Sequence, residues 1–143
     1  MSVKQISVFI ENKEGRLVAV TSCLTERNVN ILALSASDTA DFGILRLIVD
    51  QPQIALQSLK EAKFTALETE VLAAEISNTP GELNRMLKVL EQEKINVDYI
   101  YSIFGSHNSH AVDILRVDDE GRAAHALEQA GIRLLTEDEV YSR

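Results

Sequence analysis

The feature that most constrains this chain is that it repeats itself. The run Asn12-Lys13-Glu14-Gly15-Arg16-Leu17 returns 66 residues later as Asn78-Thr79-Pro80-Gly81-Glu82-Leu83, and at the same offset Leu24 meets Leu90 and Asn30 meets Asn96. Farther along the offset becomes 68, aligning Leu47 with Leu115, Asp50 with Asp118 and Leu59 with Leu127. The change falls in the loop Gly105-Ser106-His107-Asn108-Ser109-His110, where extra residues are tolerated because loop-closure entropy grows slowly with length. Any fold for these 143 residues must therefore be a small unit used twice.

Each copy reads as the same series of elements. Ile6, Val8 and Ile10 alternate with polar residues as a half-buried strand does, and Leu72, Ala74 and Ile76 repeat the pattern. After the glycine, Leu17, Val20, Thr21 and Leu24 fall at helical spacing, as do Leu83, Met86, Leu87 and Leu90. The helices end near Asn28 and Lys94, and β-rich runs follow at residues 29–37 and 43–50, and again at 95–104 and 111–117. Pro52 suits a first helical turn, and Gly131 suits a left-handed helix stop. Short last strands at 65–68 and 132–135 complete an α+β reading: two tandem ferredoxin-like βαββαβ domains at 1–70 and 71–143. Each has an antiparallel sheet with its helices on one face, and the two sheets are expected to pack together because each core is small.

Composition limits the chemistry. The 14 basic and 22 acidic residues split as 7 and 9 over residues 1–70 and as 7 and 13 over 71–143, so neither half is the basic surface that nucleic acid or an anionic membrane would need. No apolar run is long enough to span a bilayer and the first residues do not form a signal-peptide core, which makes a cytoplasmic protein the expectation. Cys23 is the single thiol, beside the buried stripe with no histidine near it in sequence. His107 and His110 lack a third metal ligand, His125 reads as a surface or boundary residue, and the acidic runs 118–120 and 137–139 read as helix-start charge and solvated surface. No catalytic set, metal site or cofactor site emerges.

The glycine turns are the remaining candidates. Glycine there permits positive φ, and the helix start it leads into offers unpaired N–H groups to a carboxylate. Asn12 and Asn78 end the first strands while Asn30 and Asn96 begin the second, and the sequence reading places those strand ends side by side. A pair of carboxamides next to a helix N-terminus would then match a free amino acid, with donors for its carboxylate and acceptors for its ammonium. The competing reading makes each asparagine a turn residue.

These motifs resemble the signature of ACT domains, an Asn-x-Pro-Gly-x-Leu turn followed by a helix and an Asn-containing strand start. The second copy reads Asn78-Thr79-Pro80-Gly81-Glu82-Leu83 with Lys94-Ile95-Asn96-Val97, and the first departs with Lys13-Glu14 before its glycine and with Asn28-Val29-Asn30-Ile31. The resemblance covers nearly the whole chain. It implies a regulatory module without catalytic activity that binds a free amino acid between paired ACT domains and acts on a separate metabolic enzyme or regulator, as a homodimer. The implied contacts are Asn12, Gly15, Arg16, Leu17, Asn30 and Ile31 from the first copy, and Asn78, Pro80, Gly81, Glu82, Leu83, Asn96 and Val97 from the second. Among rivals, an RNA-recognition domain would need stacked aromatics where Phe9 and Phe42 look isolated, and a small phosphatase would need an arginine cradle where Arg16 is replaced by Glu82. A ligand-free interaction module, using strand edges or Tyr99 and Tyr101, is the stronger alternative.

Overall fold

A computed structural model describes residues 2–38, 42–103 and 110–142. The elements follow in the order β1 (Val3–Glu11), α1 (Arg16–Glu26), β2 (Ile31–Asp38), β3 (Phe42–Val49), α2 (Pro52–Glu61), β4 (Thr65–Ser77), α3 (Glu82–Gln92), β5 (Val97–Ser102), β6 (His110–Val117), α4 (Glu120–Gln129), β7 (Arg133–Leu134) and α5 (Glu137–Tyr141). Two compact units result, Lys4–Thr69 joined by Tyr141–Arg143, and Glu70–Val140 joined by the first residues of the chain. The last strand of the first repeat and the first of the second form one continuous element, β4. No described helix is long and apolar enough to cross a membrane.

In the first repeat the strand order is β2-β3-β1-β4, with β1 antiparallel to β3 (Ile6 opposite Leu47, Glu11 opposite Phe42) and β3 antiparallel to β2 (Ile31 opposite Val49). The alternate residues Ile6, Val8 and Ile10 face α1 and α2 and pack with Val20, Leu24, Leu45, Leu47 and Leu59 in one core. The second repeat reproduces this with the order β5-β6-β4-β7, where Leu72, Ala74 and Ile76 meet Met86, Leu90, Leu115 and Leu127. Burying a Leu or Ile side chain stabilises by roughly 1.5–3 kcal/mol, so these two clusters hold the repeats together. Leu17 and Leu83 head the helical stripes but are 48% and 44% exposed, which corrects their expected place in the core. The apolar stripe closes only at Val20 and Met86, because the first turn of each helix lies beyond the end of the sheet.

All four long helices stop in the same way. Asn28, Lys63, Lys94 and Gly131 take left-handed backbone angles (φ between 57° and 79°). The next amide reaches back five residues: Val29 N–H to Leu24 O, Phe64 to Leu59, Ile95 to Leu90 and Ile132 to Leu127, all at 2.9–3.0 Å. This is the Schellman closure, with an apolar residue packing back as the helix ends. The last element, α5, has a capping box: Glu139 N–H donates to Thr136 Oγ1 while Thr136 N–H donates to Glu139 Oε1. Its β7 neighbour is shorter than the strand expected at 132–135.

Candidate functional site

Both glycine turns adopt the geometry that their residue type allows. Gly15 has φ +83° and Gly81 φ +91°, each as the residue that opens a helix, with no side chain capping the first turn. A Cβ on either would meet nothing within 4 Å, so it is the backbone angle, not crowding, that calls for glycine. Ala19 N–H makes the first helical bond of α1, to Gly15 O at 3.0 Å, and Arg16 N–H reaches Lys13 O at 3.4 Å. The Leu17 and Val18 N–H groups are left without an acceptor among the described residues, and Leu83 and Asn84 are their counterparts in α3. By contrast, α4 is capped by Asp119, whose carboxylate accepts from Arg122 N–H at 3.2 Å. The starts of α1 and α3 are thus uncapped, as is that of α2 after Gln51, and each carries the positive end of its helix dipole.

At the first turn this helix start borders a cavity of about 200 Å³ lined by Asn12, Arg16, Leu17, Ser37, Gly43 and neighbouring residues. Asn12 and Lys13 come from the turn, Ser37 from the end of β2, and Gly43 from the start of β3. At Gly43 an added Cβ would stand 3.4 Å from both Ile10 Cγ1 and Ser37 O. Arg16 supplies the fixed cation. Its Nε is buried with no hydrogen-bond partner, and the side chain forms no ion pair among the described residues. A buried guanidinium N–H without an acceptor is a costly arrangement that an incoming anion would relieve. Ser37 and Gly43 are site residues that the sequence reading missed, since nothing in the order of elements says which end of a hairpin meets the turn.

The register corrects one expectation outright. Asn12 and Asn30 do not lie side by side. Because α1 returns the chain to the level where β1 began, β2 runs parallel to β1, and Asn30 lies at the opposite end of the sheet from Asn12. Glu11 faces Phe42 while Asn30 exchanges hydrogen bonds with Asp50: Asn30 N–H to Asp50 Oδ1 at 2.9 Å, and Asp50 N–H to Asn30 O at 3.1 Å. The eight residue steps from Phe42 to Asp50 span roughly 26 Å of strand. The second repeat separates Asn78 from Asn96 in the same way, with Ser77 opposite His110 and Asn96 N–H donating to Asp118 Oδ1 at 3.1 Å. Asn96 also donates its carboxamide N–H to Asp98. Ile31 and Val97, the residues after these asparagines, begin the same distant strands.

The second turn differs chemically. Glu82 replaces Arg16, pairs with Arg85 at 3.5 Å, and borders a cavity of about 290 Å³ lined by Glu75, Ser77, Arg85, His110 and Arg133. Asn78, Pro80, Gly81 and Leu83 are exposed or lie in the turn itself, outside that lining. Asp113 of β6 is 6% exposed and accepts a hydrogen bond from Ser102 Oγ at 2.7 Å. Burial raises its carboxyl above the ordinary carboxylate range, and the serine partly opposes the rise.

The other sequence candidates are ordinary in place. Cys23 donates to Ser58 O at 3.4 Å beside the first core, and burial, then the Glu26 carboxylate, raises its thiol above the usual value. Tyr99 and Tyr101 stack with centroids 6.4 Å apart, and His125 is exposed on α4. His107 lies outside the described residues. Among those described, no three His, Cys, Asp or Glu side chains converge as metal ligands.

Fold and turn together define a tandem pair of ferredoxin-like βαββαβ domains. The chain belongs to the ACT domain pair family, whose model matches residues 1–142. A Bacteroides thetaiotaomicron protein of known crystal structure is 36% identical over 100% of this chain and 98% of its own, with a TM-score of 0.93. The regulatory subunit of aspartate kinase from Thermus thermophilus, in a ligand-free form, is 18% identical, covers 89% of this chain and 91% of its own, and has a TM-score of 0.63. The corresponding subunit from Thermus flavus is 17% identical with the same coverage and a TM-score of 0.62. At these lower identities the likeness is one of fold. No functionally curated protein matches the chain.

Proposed function

We propose that the protein is a non-catalytic sensor that holds a free amino acid at the β1–α1 turn of its first repeat and reports occupancy to a separate metabolic enzyme or regulator. The observation that carries this reading is the coincidence, at one cavity, of an uncapped helix start and a guanidinium whose buried Nε has no acceptor. The Leu17 and Val18 N–H groups with Arg16 would take the carboxylate, and Asn12 and Glu11 would take the ammonium. The family supports a regulatory role, and the aspartate kinase subunits, named as regulatory, share the fold.

In this reading the two turns are not equivalent. Glu82 places a carboxylate where the first turn has its guanidinium, so the first repeat is the carboxylate seat. Asn30 and Asn96 can contribute only from outside the repeat whose turn holds the ligand, because each lies at the far end of its own sheet.

A thermal-shift scan against the proteinogenic amino acids tests the proposal. At one hundred times its dissociation constant a ligand adds about 2.7 kcal/mol, a rise of about 5–10 °C for a chain of this size. Arg16→Gln should weaken binding about 10- to 100-fold, the worth of a charge-assisted hydrogen bond, while Glu82→Gln leaves it in place. A flat response across the panel would favour an interaction module that works through strand edges or Tyr99 and Tyr101.

A further inference from the structure

We propose that the amino acid held by the first repeat is aromatic, its ring entering a second cleft that Phe9, Phe42 and Phe64 form on the other side of Arg16; this rests on the carboxylate seat proposed above. The sequence contains four phenylalanines, and three of them line this one cavity of about 210 Å³. Phe9 lies two residues before the end of β1, Phe42 begins β3, and Phe64 follows the left-handed stop of α2, so segments far apart in sequence converge here. Phe42 is 58% exposed and Phe9 40%, apolar surface that a ring lying between them would cover. Ile10, Glu11 and Arg16 line both this cleft and the turn cavity, which makes the two neighbours across a single guanidinium.

Charge fits the same occupant. Arg16 and Lys63 both border the cleft, and the side chains of both lack a hydrogen bond or ion pair among the described residues. Glu11, the acid in the lining, is held by Lys13 at 3.3 Å and remains placed to accept from an ammonium. Lys63 is also conformationally expensive: at φ +71° an L-residue is strained, and the second repeat has Gly131 at this position. A lysine kept where glycine fits better, at the rim of an aromatic cleft, is explained if its charge serves an anion.

The second repeat supplies the internal control. Position by position its cleft carries Glu75 for Phe9, His110 for Phe42, Ile132 for Phe64, Glu82 for Arg16 and Gly131 for Lys63. Among the described residues it has no phenyl ring and no free cation pair, because Arg133 there is tied to Glu75 at 3.0 Å and to Glu139. The backbone frame is common to both copies, so the aromatic and cationic lining of the first is a property of its side chains alone.

Calorimetric titration of the full chain with phenylalanine, tyrosine, tryptophan, leucine, lysine and 3-phenylpropionate tests this. The aromatic amino acids should bind more tightly than leucine or lysine, with Phe42→Ala weakening phenylalanine about 3- to 10-fold. Lys63→Gly should raise the melting temperature of the ligand-free protein by about 1–3 °C while weakening phenylalanine binding, opposite signs that a purely structural lysine would not give. If leucine or lysine binds as well as phenylalanine, or Phe42→Ala leaves affinity unchanged while Arg16→Gln abolishes it, the aromatic assignment falls and the carboxylate seat stands. If no amino acid binds, both fall. Binding of 3-phenylpropionate without phenylalanine would mark the cleft as an aromatic-anion site and overturn the amino-acid ligand.

Discussion

The first and second repeats close their helices and open their glycine turns with the same backbone angles, yet they line the adjoining cleft with opposite chemistry. One has Phe9, Phe42, Phe64, Arg16 and Lys63; the other has Glu75, His110, Ile132, Glu82 and Gly131. The frame depends on positions where φ and burial leave little choice, while the cleft residues are partly exposed and free to diverge. Inside the sheet the contrast reverses sign. Leu45 is buried in the first core, and its counterpart Asp113 is a buried acid that leans on Ser102, where the first repeat has Ala36.

The largest test of this comparison exchanges the interior pair. Leu45→Asp should cost about 3 kcal/mol or more in urea unfolding, because it deletes a core side chain and buries a carboxylate with no serine beside it. The reverse exchange, Asp113→Leu with Ser102→Ala, removes donor and acceptor together and should leave the protein at least as stable. If Leu45→Asp is mild, the first core is more open than its burial indicates. Next in size are the turns. Gly15→Ala and Gly81→Ala should each cost about 1–2 kcal/mol, the penalty of a left-handed L-residue in open space. Clearly unequal costs would show that one turn relaxes and that the two are not the same device.

The smallest effect is the pH dependence owed to Asp113. Its folded value lies above its unfolded one, so between the two the folded chain binds more protons than the unfolded chain. Its contribution to stability is therefore fully present below the unfolded value and lost as pH rises through the folded value. Relative to the Asp113→Leu, Ser102→Ala protein, the wild type should gain stability as pH falls across that window. An unchanged difference between the two proteins would place the Asp113 carboxyl in effective contact with water.

The frame was legible in the sequence because duplication displays each periodic stripe twice, and because Gly15, Gly81, Pro52 and Gly131 mark turns by residue type. Lys63 and Lys94 as left-handed stops were less visible, since lysine carries no conformational signature; Lys94 was legible only as the end of a helix. The capping box of Thr136 and Glu139 was present in the sequence but lay inside an acidic run that reads as surface. The misplaced asparagines have a topological cause. Residue order reveals that a helix joins two strands, but the antiparallel return of that helix decides which strand ends meet, and it separates Asn12 from Asn30. The phenylalanine cleft was hidden for a related reason. Phe9 and Phe42 look isolated along the chain and are brought together by the pairing of Glu11 with Phe42, while Phe64 arrives from the stop of α2.

The placement of Cys23 also gives the molecule a built-in labelling site. The thiol lies between α1 and α2, donates to Ser58 O, and is the single cysteine of the chain. The thiol is partly exposed, so a reagent added to native protein attaches a reporter at one defined point between those two helices, without any engineered cysteine.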